Sequence, residues 1–172
     1  MNDERLRVVV SGTTWMGSGL GSIESALYQL FTQANDEIQI IAYAISSAAP
    51  LLFQQLTAVL QRGVRVRLII NRFTLQPLTV QQACYRLLEQ FPHLFHVFSF
   101  VSQRNEADLH AKAIVVDRYH ALIGSANLSL RGLMDNHELG VVINGAGAAD
   151  IAKAIDVLIT SPHIFPVSLE GK

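Results

Sequence analysis

The 172-residue sequence is short of several things, and each shortage removes a class of protein. It has one cysteine, Cys84, so no disulfide can form within the chain and a disulfide-stapled secreted scaffold is excluded. Half the residues are apolar, yet no uninterrupted apolar run reaches the roughly 18 residues of a spanning helix. Charge of one sign is lacking too. A net charge of −1 excludes a protein that coats nucleic acid by bulk electrostatics, and any such contact has to be local. Lysine is scarce: only Lys112, Lys153 and Lys172 among thirteen basic residues. Arginine, whose planar fork suits phosphate, is therefore the main cation. Repeats, low-complexity tracts and a dividing linker are missing, which makes one domain over residues 1–172 the expectation. The opening MNDERLRVVV is charged and carries no export cleavage pattern, so a cytoplasmic protein without a membrane segment is expected.

What is present alternates. Strand-like runs (RLRVVVSG, EIQIIAYAI, VRVRLIINR, LFHVFSF, HELGVVI) are separated by helix-like ones (SIESALYQLFTQA, PLLFQQLTAVLQR, TVQQACYRLLEQ, AADIAKAIDVLIT), with Ser22 placed to cap the first helix. Strands apolar on both faces need helices on both sides. AKAIVVD and HALIGS are too close for a crossover helix and must pair antiparallel. The expected fold is α/β: a mixed, mainly parallel sheet with helices on both faces.

One stretch carries the chemistry, DLHAKAIVVDRYHALIGSAN at residues 108–127. Residues i and i+2 of a strand share a face, so His110 and Lys112 stand together at the start of an otherwise apolar run. A lysine there has to reach solvent, meet a carboxylate, or face an anion that comes and goes.

Within 29 residues the chain presents His110, Lys112, Asp117, Gly124, Ser125, Asn127 and Glu138. His-x-Lys, four residues, Asp, six residues, then Gly-Ser-x-Asn resembles the HKD signature of the phospholipase D superfamily, with Glu138 where members commonly keep a glutamate. RGVRVRLII after a helix also resembles the N-terminal half of that family. The resemblance implies a phospholipase D-like fold and a covalent phosphohistidine intermediate without a catalytic metal. It also implies two motifs per active site, one histidine attacking while the other protonates the leaving group. With a single motif here, the expectation is a homodimer whose two His110 residues share one site.

The roles follow from the chemistry of a stable phosphodiester anion, which needs a nucleophile, donors for its oxygens and an acid for the leaving alkoxide. Neutral His110 is the nucleophile, Lys112 the point charge, Asn127 and Ser125 the uncharged donors, and Glu138 orients the imidazole. Asp117, at a turn between strands, is expected to bond local backbone or an arginine, and Gly124 to be structural. Rates should fall on both sides of about pH 6.5, where imidazole ordinarily titrates.

Other residues take lesser places. Arg104, Arg118 and Arg131 flank the motif as substrate-backbone contacts, and Trp15 is a stacking surface if the GSGLG loop borders the site. Arg65 and Arg67 read equally as a phosphate-tracking patch or as the charged guard of an edge strand. His93 and His96 lack further ligands for zinc, and Cys84 falls at a buried helical position.

The leading function is a nuclease, that is, a metal-independent phosphodiesterase of DNA or RNA, with a partner protein supplying any sequence specificity. The alternatives are a lipid phosphodiesterase or phosphatidyltransferase, which should show an apolar rim, and a silent binding module, which should tolerate loss of His110.

Overall fold

The computed structural model describes residues 5–46, 49–102 and 107–169. Strand β1 (Leu6–Ser11) passes through a short turn at Thr13–Trp15 and the two-residue β2 (Gly21–Ser22) into helix α1 (Ile23–Gln33). Then come β3 (Glu37–Ala42), α2 (Ala49–Gln61), β4 (Arg65–Asn71), a turn at Phe73–Leu75, α3 (Leu78–Gln90) and β5 (Phe95–Phe100). The hairpin β6 (Ala113–Val116) and β7 (His120–Gly124) is followed by a π-helical turn at Arg131–Asp135. The described chain ends with β8 (Glu138–Asn144), α4 (Ala146–Ile159) and β9 (Ile164–Pro166).

The described strands form one sheet in the order β2-β1-β8-β7-β6-β3-β4-β5-β9. It is mixed, as expected, but the balance is not mainly parallel. Three neighbouring pairs are parallel (β1 with β2, β3 with β4, β4 with β5). Five are antiparallel (β1 with β8, β8 with β7, β7 with β6, β6 with β3, β5 with β9). The reason is connection length: α2 and α3 serve as crossovers, whereas the turn from β6 to β7 has no helix to carry the chain back. Strands β2 and β9 are too short for a periodic signal. Pro166 in β9 is tolerated because that strand is an edge.

Strand periodicity divides the core. Ile38, Ile40, Val66, Leu68, Ile70, Ile114 and Val116 face the layer built by α1, α2 and α3, while Ile41, Ile69, Val115 and Ala121 face Ala148, Ala152 and Ile155 of α4. Each fully buried leucine or isoleucine, such as Leu56, Leu60 or Leu68, contributes about 1.5–3 kcal/mol. Helix ends are closed locally. The Ser22 hydroxyl accepts from the Ser25 amide at 3.0 Å, and Arg62 donates to the carbonyls of Phe31 and Ala34 at 2.7 and 3.1 Å. Cys84 is a core thiol whose pKa burial pushes up to about 12, too high for a reactive thiolate.

The Arg65/Arg67 stretch fits neither expectation. β4 is interior, and Arg67 is held between Glu37 at 2.9 Å and Asp156 at 3.0 Å. No helix among the described residues is long and apolar enough to cross a membrane.

Candidate active site

The antiparallel ladder puts the motif in one place. β6 begins where β7 ends, beside the start of β8 and the end of β1: Ala113 pairs with Ile123, Gly124 with Gly140, and Ser11 with Glu138. The ends of the parallel strands β3 and β4 lie at the same edge, Ile41 opposite Ala113. This is the strand-end position where α/β sheets collect their functional groups.

His110 and Lys112 precede β6 and keep its alternation: Leu109 packs with the α4-side cluster, while Lys112 reaches toward Ile23 and Leu27 on the other side. Their side chains meet. The Lys112 ammonium lies 3.2 Å from Nδ1 and 3.3 Å from Nε2 of His110 and donates to the His110 carbonyl at 2.8 Å. The Tyr43 ring packs on the imidazole with centroids 4.7 Å apart, and the ammonium stands 5.4 Å from the centre of the same ring. Burial pushes the Lys112 pKa below the usual lysine range, with the negative Glu138 acting in the opposite direction. No carboxylate is bonded to this ammonium among the described residues.

Ser125, Asn127 and Glu138 stand on the neighbouring segments. The Ser125 hydroxyl donates to the Glu138 carboxylate, whose second oxygen accepts from Asn136 at 3.3 Å. Within one chain, therefore, Glu138 is engaged with Ser125 and Asn136, and no bond joins it to His110. The Asn127 Oδ1 is buried without a hydrogen-bond partner among the described residues, a costly state that a donor entering the site would relieve. Gly124 is required by close approach: a Cβ there would stand 2.6 Å from the Leu139 carbonyl oxygen and 2.7 Å from the Gly140 Cα. The Ser11 hydroxyl donates to the carbonyls of Gly132 and Asn136 at 3.0 and 2.9 Å, anchoring the loop between Asn127 and Glu138.

Other expected residues scatter. Asp117, at the far end of β6, accepts from the backbone amides of Asn35, Asp36 and Glu37 at 2.9, 2.8 and 2.9 Å. Its partners are backbone, but some eighty residues away in the chain instead of local. Burial alone would raise its pKa; those amides reverse the shift and hold it below the usual value. Arg118 is corrected: it lies at that same far end, engaged by Glu37 at 2.8 Å and Asp156 at 2.6 Å, and so is not beside His110 to read a substrate. Arg131 is exposed on the turn after Asn127. Arg104 lies outside the described residues. Trp15 stacks near His137 at 5.5 Å and lines a cavity of about 290 Å³ with Met16, Leu20 and Met134. His93 and His96 belong to no metal-ligating cluster among the described residues.

Sequence reasoning missed Tyr43, Asn71, Arg72 and Asp108. Tyr43 follows β3 as an aromatic in an otherwise aliphatic run, and Asp108 is two residues before His110; both were weak signals. Asn71 gave none, and Arg72 was visible only as a cation near the Arg65/Arg67 stretch, because both stand nearly forty residues from the motif.

Residues 27–159, well over half of the chain, match the family described as "Cardiolipin synthase, PLD-like domain". The chain belongs to the phospholipase D superfamily, whose members act on phosphodiesters. It is 26% identical over 121 residues to the DISARM protein DrmC of Bacillus paralicheniformis, covering 70% of this chain and 49% of that protein. It is 31% identical over 112 residues to the 5'-3' exonuclease PLD3 of Rattus norvegicus, covering 61% of this chain and 21% of that one. The chain thus spans about half of the first relative and a fifth of the second. Its fold is that of the phospholipase D family member Nuc from Salmonella typhimurium, with a TM-score of 0.75 at 18% identity over 96% of this chain and 99% of Nuc.

Proposed function

We propose that this protein is a nuclease: a phosphodiesterase that opens the backbone of DNA or RNA through a phosphohistidine on His110, in a homodimer whose two copies of His110 share one site. The observation that carries the reading is the Lys112 ammonium held against the exposed His110 imidazole with no carboxylate bonded to it among the described residues. A phosphoryl group bound there supplies the missing anion at the point where the nucleophile waits. The Nε2 or Nδ1 lone pair attacks phosphorus, the bond to the leaving oxygen breaks, and the protonated imidazole of the second copy gives its proton to that oxygen. Water then attacks the P–N bond, passes a proton to the now neutral second imidazole, and leaves a phosphate monoester. Lys112 and the NH2 of the Asn127 amide hold the phosphoryl oxygens, joined by Ser125 when its hydroxyl turns from Glu138, so the cycle calls for no metal.

The nuclease branch is supported by likeness to a relative named as an exonuclease and by the local character of the positive charge, Lys112 and Arg131, in a chain of net charge −1. One observation favours the lipid branch. Met16, Leu20, Leu130, Met134 and Leu139 are exposed around the segments that carry Asn127 and Glu138, and the matching family is described by a cardiolipin synthase. The deciding test is cleavage of labelled single- and double-stranded DNA and RNA in EDTA at about pH 6.5, beside release of headgroup from anionic phospholipid vesicles. Nucleic-acid cleavage that disappears in His110→Ala is the expected result; vesicle hydrolysis alone would transfer the reading to lipid.

A further inference from the structure

We infer that Asn71 and Asp108 are positioning residues: together they clamp the backbone that carries His110 and fix where its imidazole stands. The inference rests on the reading of His110 as the nucleophile. Its starting point is that residues 110–112 lie outside β6, so the sheet ladder, which reaches only as far as the weak 3.4 Å bond from the Gly124 amide to the Lys112 carbonyl, does not hold His110. Something else must hold it.

Asn71, the last residue of β4, is 4% exposed and spends both ends of its amide on the segment before His110. Its Oδ1 accepts from the Leu109 amide at 3.0 Å and its Nδ2 donates to Asp108 at 3.2 Å. Arg72 donates from Nε to the same Asp108 oxygen at 2.8 Å. Successive side chains of a strand point to opposite faces, so two neighbours cannot ordinarily reach one atom. Here they do because Arg72 takes the left-handed conformation, with φ 45° and ψ 64°, a state rare for any residue with a Cβ. The Arg72 amide bonds the Phe100 carbonyl at 2.9 Å and holds that turn. Backbone strain and a buried amide are thus invested in a segment of which Leu109 alone packs against the core and which bears the reactive imidazole.

The charges around the imidazole are consistent with this. Asp108 is held below the usual carboxylate range by its bonds to Asn71 and Arg72, with the positive charges of Arg72 and His110 acting the same way. Lys112 and the Tyr43 ring stand against His110, and the negative Glu138 acts on Lys112. Asn71, Arg72 and Asp108 also line an open groove of about 590 Å³ with Tyr43 and Gln76, and His110 itself is exposed.

The test uses the whole protein with ¹³C-labelled histidine, the His110 ring signal being assigned from its loss in His110→Gln. Asp108→Ala, at a site exposed enough to leave folding intact, should shift or broaden that signal. It should also lower kcat on bis(p-nitrophenyl) phosphate by about 10- to 100-fold while KM stays within about twofold. Asp108→Asn keeps the acceptor oxygen and should restore kcat to within about threefold of wild type. A folded Asp108→Ala protein with an unmoved His110 signal overturns the clamp, and so does an Asp108→Asn variant as impaired as the alanine. A wild-type protein that cleaves no phosphodiester while the signal still moves in Asp108→Ala upholds the clamp and overturns the nuclease reading.

Discussion

The two ends of β6 are separated by a strand only four residues long and are opposite in character. At the far end Asp117 is answered by three amides, and Arg118 and Arg67 by Glu37 and Asp156. At the near end the Lys112 ammonium rests on an imidazole, the Asn127 carbonyl oxygen is buried without a partner among the described residues, and His110 is exposed. Both ends are polar groups on the same apolar strand. What separates them is completeness: the satisfied end ties β3, β4 and α4 to the hairpin, and the unsatisfied end keeps its bonding capacity for something that arrives later.

That contrast can be broken, and the largest effect should come from His110→Ala. On the proposed mechanism it removes both nucleophile and acid, and should abolish phosphodiester cleavage, a loss of at least about 10⁴-fold, with unchanged thermal unfolding because the side chain is exposed. Mixing it with an equal amount of wild type under subunit exchange should leave roughly a quarter of the activity of the same total amount of wild-type protein, as a shared two-fold site requires. A residue of half or more would point to independent sites. Lys112→Met should lower kcat by about 10²- to 10³-fold. Its stability should hold or rise, since burial disfavours the charge that is removed; a loss of stability would make Lys112 a structural cation.

The far end should respond in the reverse sense. Asp117→Ala strips the acceptor from three amides and should cost about 1–3 kcal/mol in denaturant unfolding while leaving turnover per folded molecule unchanged. The folded carboxylate titrates below its ordinary value of about 3.9, so its contribution is complete above that pH and fades as pH falls through the lower folded value. Unfolding curves of wild type and Asp117→Asn should therefore converge in acid. The smallest effect belongs to Arg118→Ala, whose half-exposed ion pairs are worth about 0–1 kcal/mol, with KM unmoved. A rise in KM beyond about tenfold, or 1.4 kcal/mol of binding, would return Arg118 to the substrate site.

Legibility followed the range of the interaction. His110 and Lys112 were readable because i and i+2 share a strand face, and the hairpin partner was readable because a short turn forces antiparallel pairing. Ser22 as a cap and the buried Cys84 were likewise local matters. Arg118 misled, since it is one residue from Asp117 and near the motif in the chain, yet a strand's length carries it away from His110. Arg67 misled because an alternating charge looks the same whether it faces solvent or a buried glutamate. Asp108 could be seen only as a neighbour of His110; that Asn71 and Arg72 seize it depends on a left-handed turn no pattern announces.

By itself the sequence determined the alternation of strands and helices and the nearness of the motif residues along the chain, because these depend on covalent spacing and on the two backbone periodicities. The tertiary structure decided which charges were already spent and which remained open, and it brought Tyr43, Asn71 and Arg72 to the motif. A charge is satisfied or left free by whatever stands within about 4 Å of it, and across this sheet that neighbour comes from a strand thirty to eighty residues away.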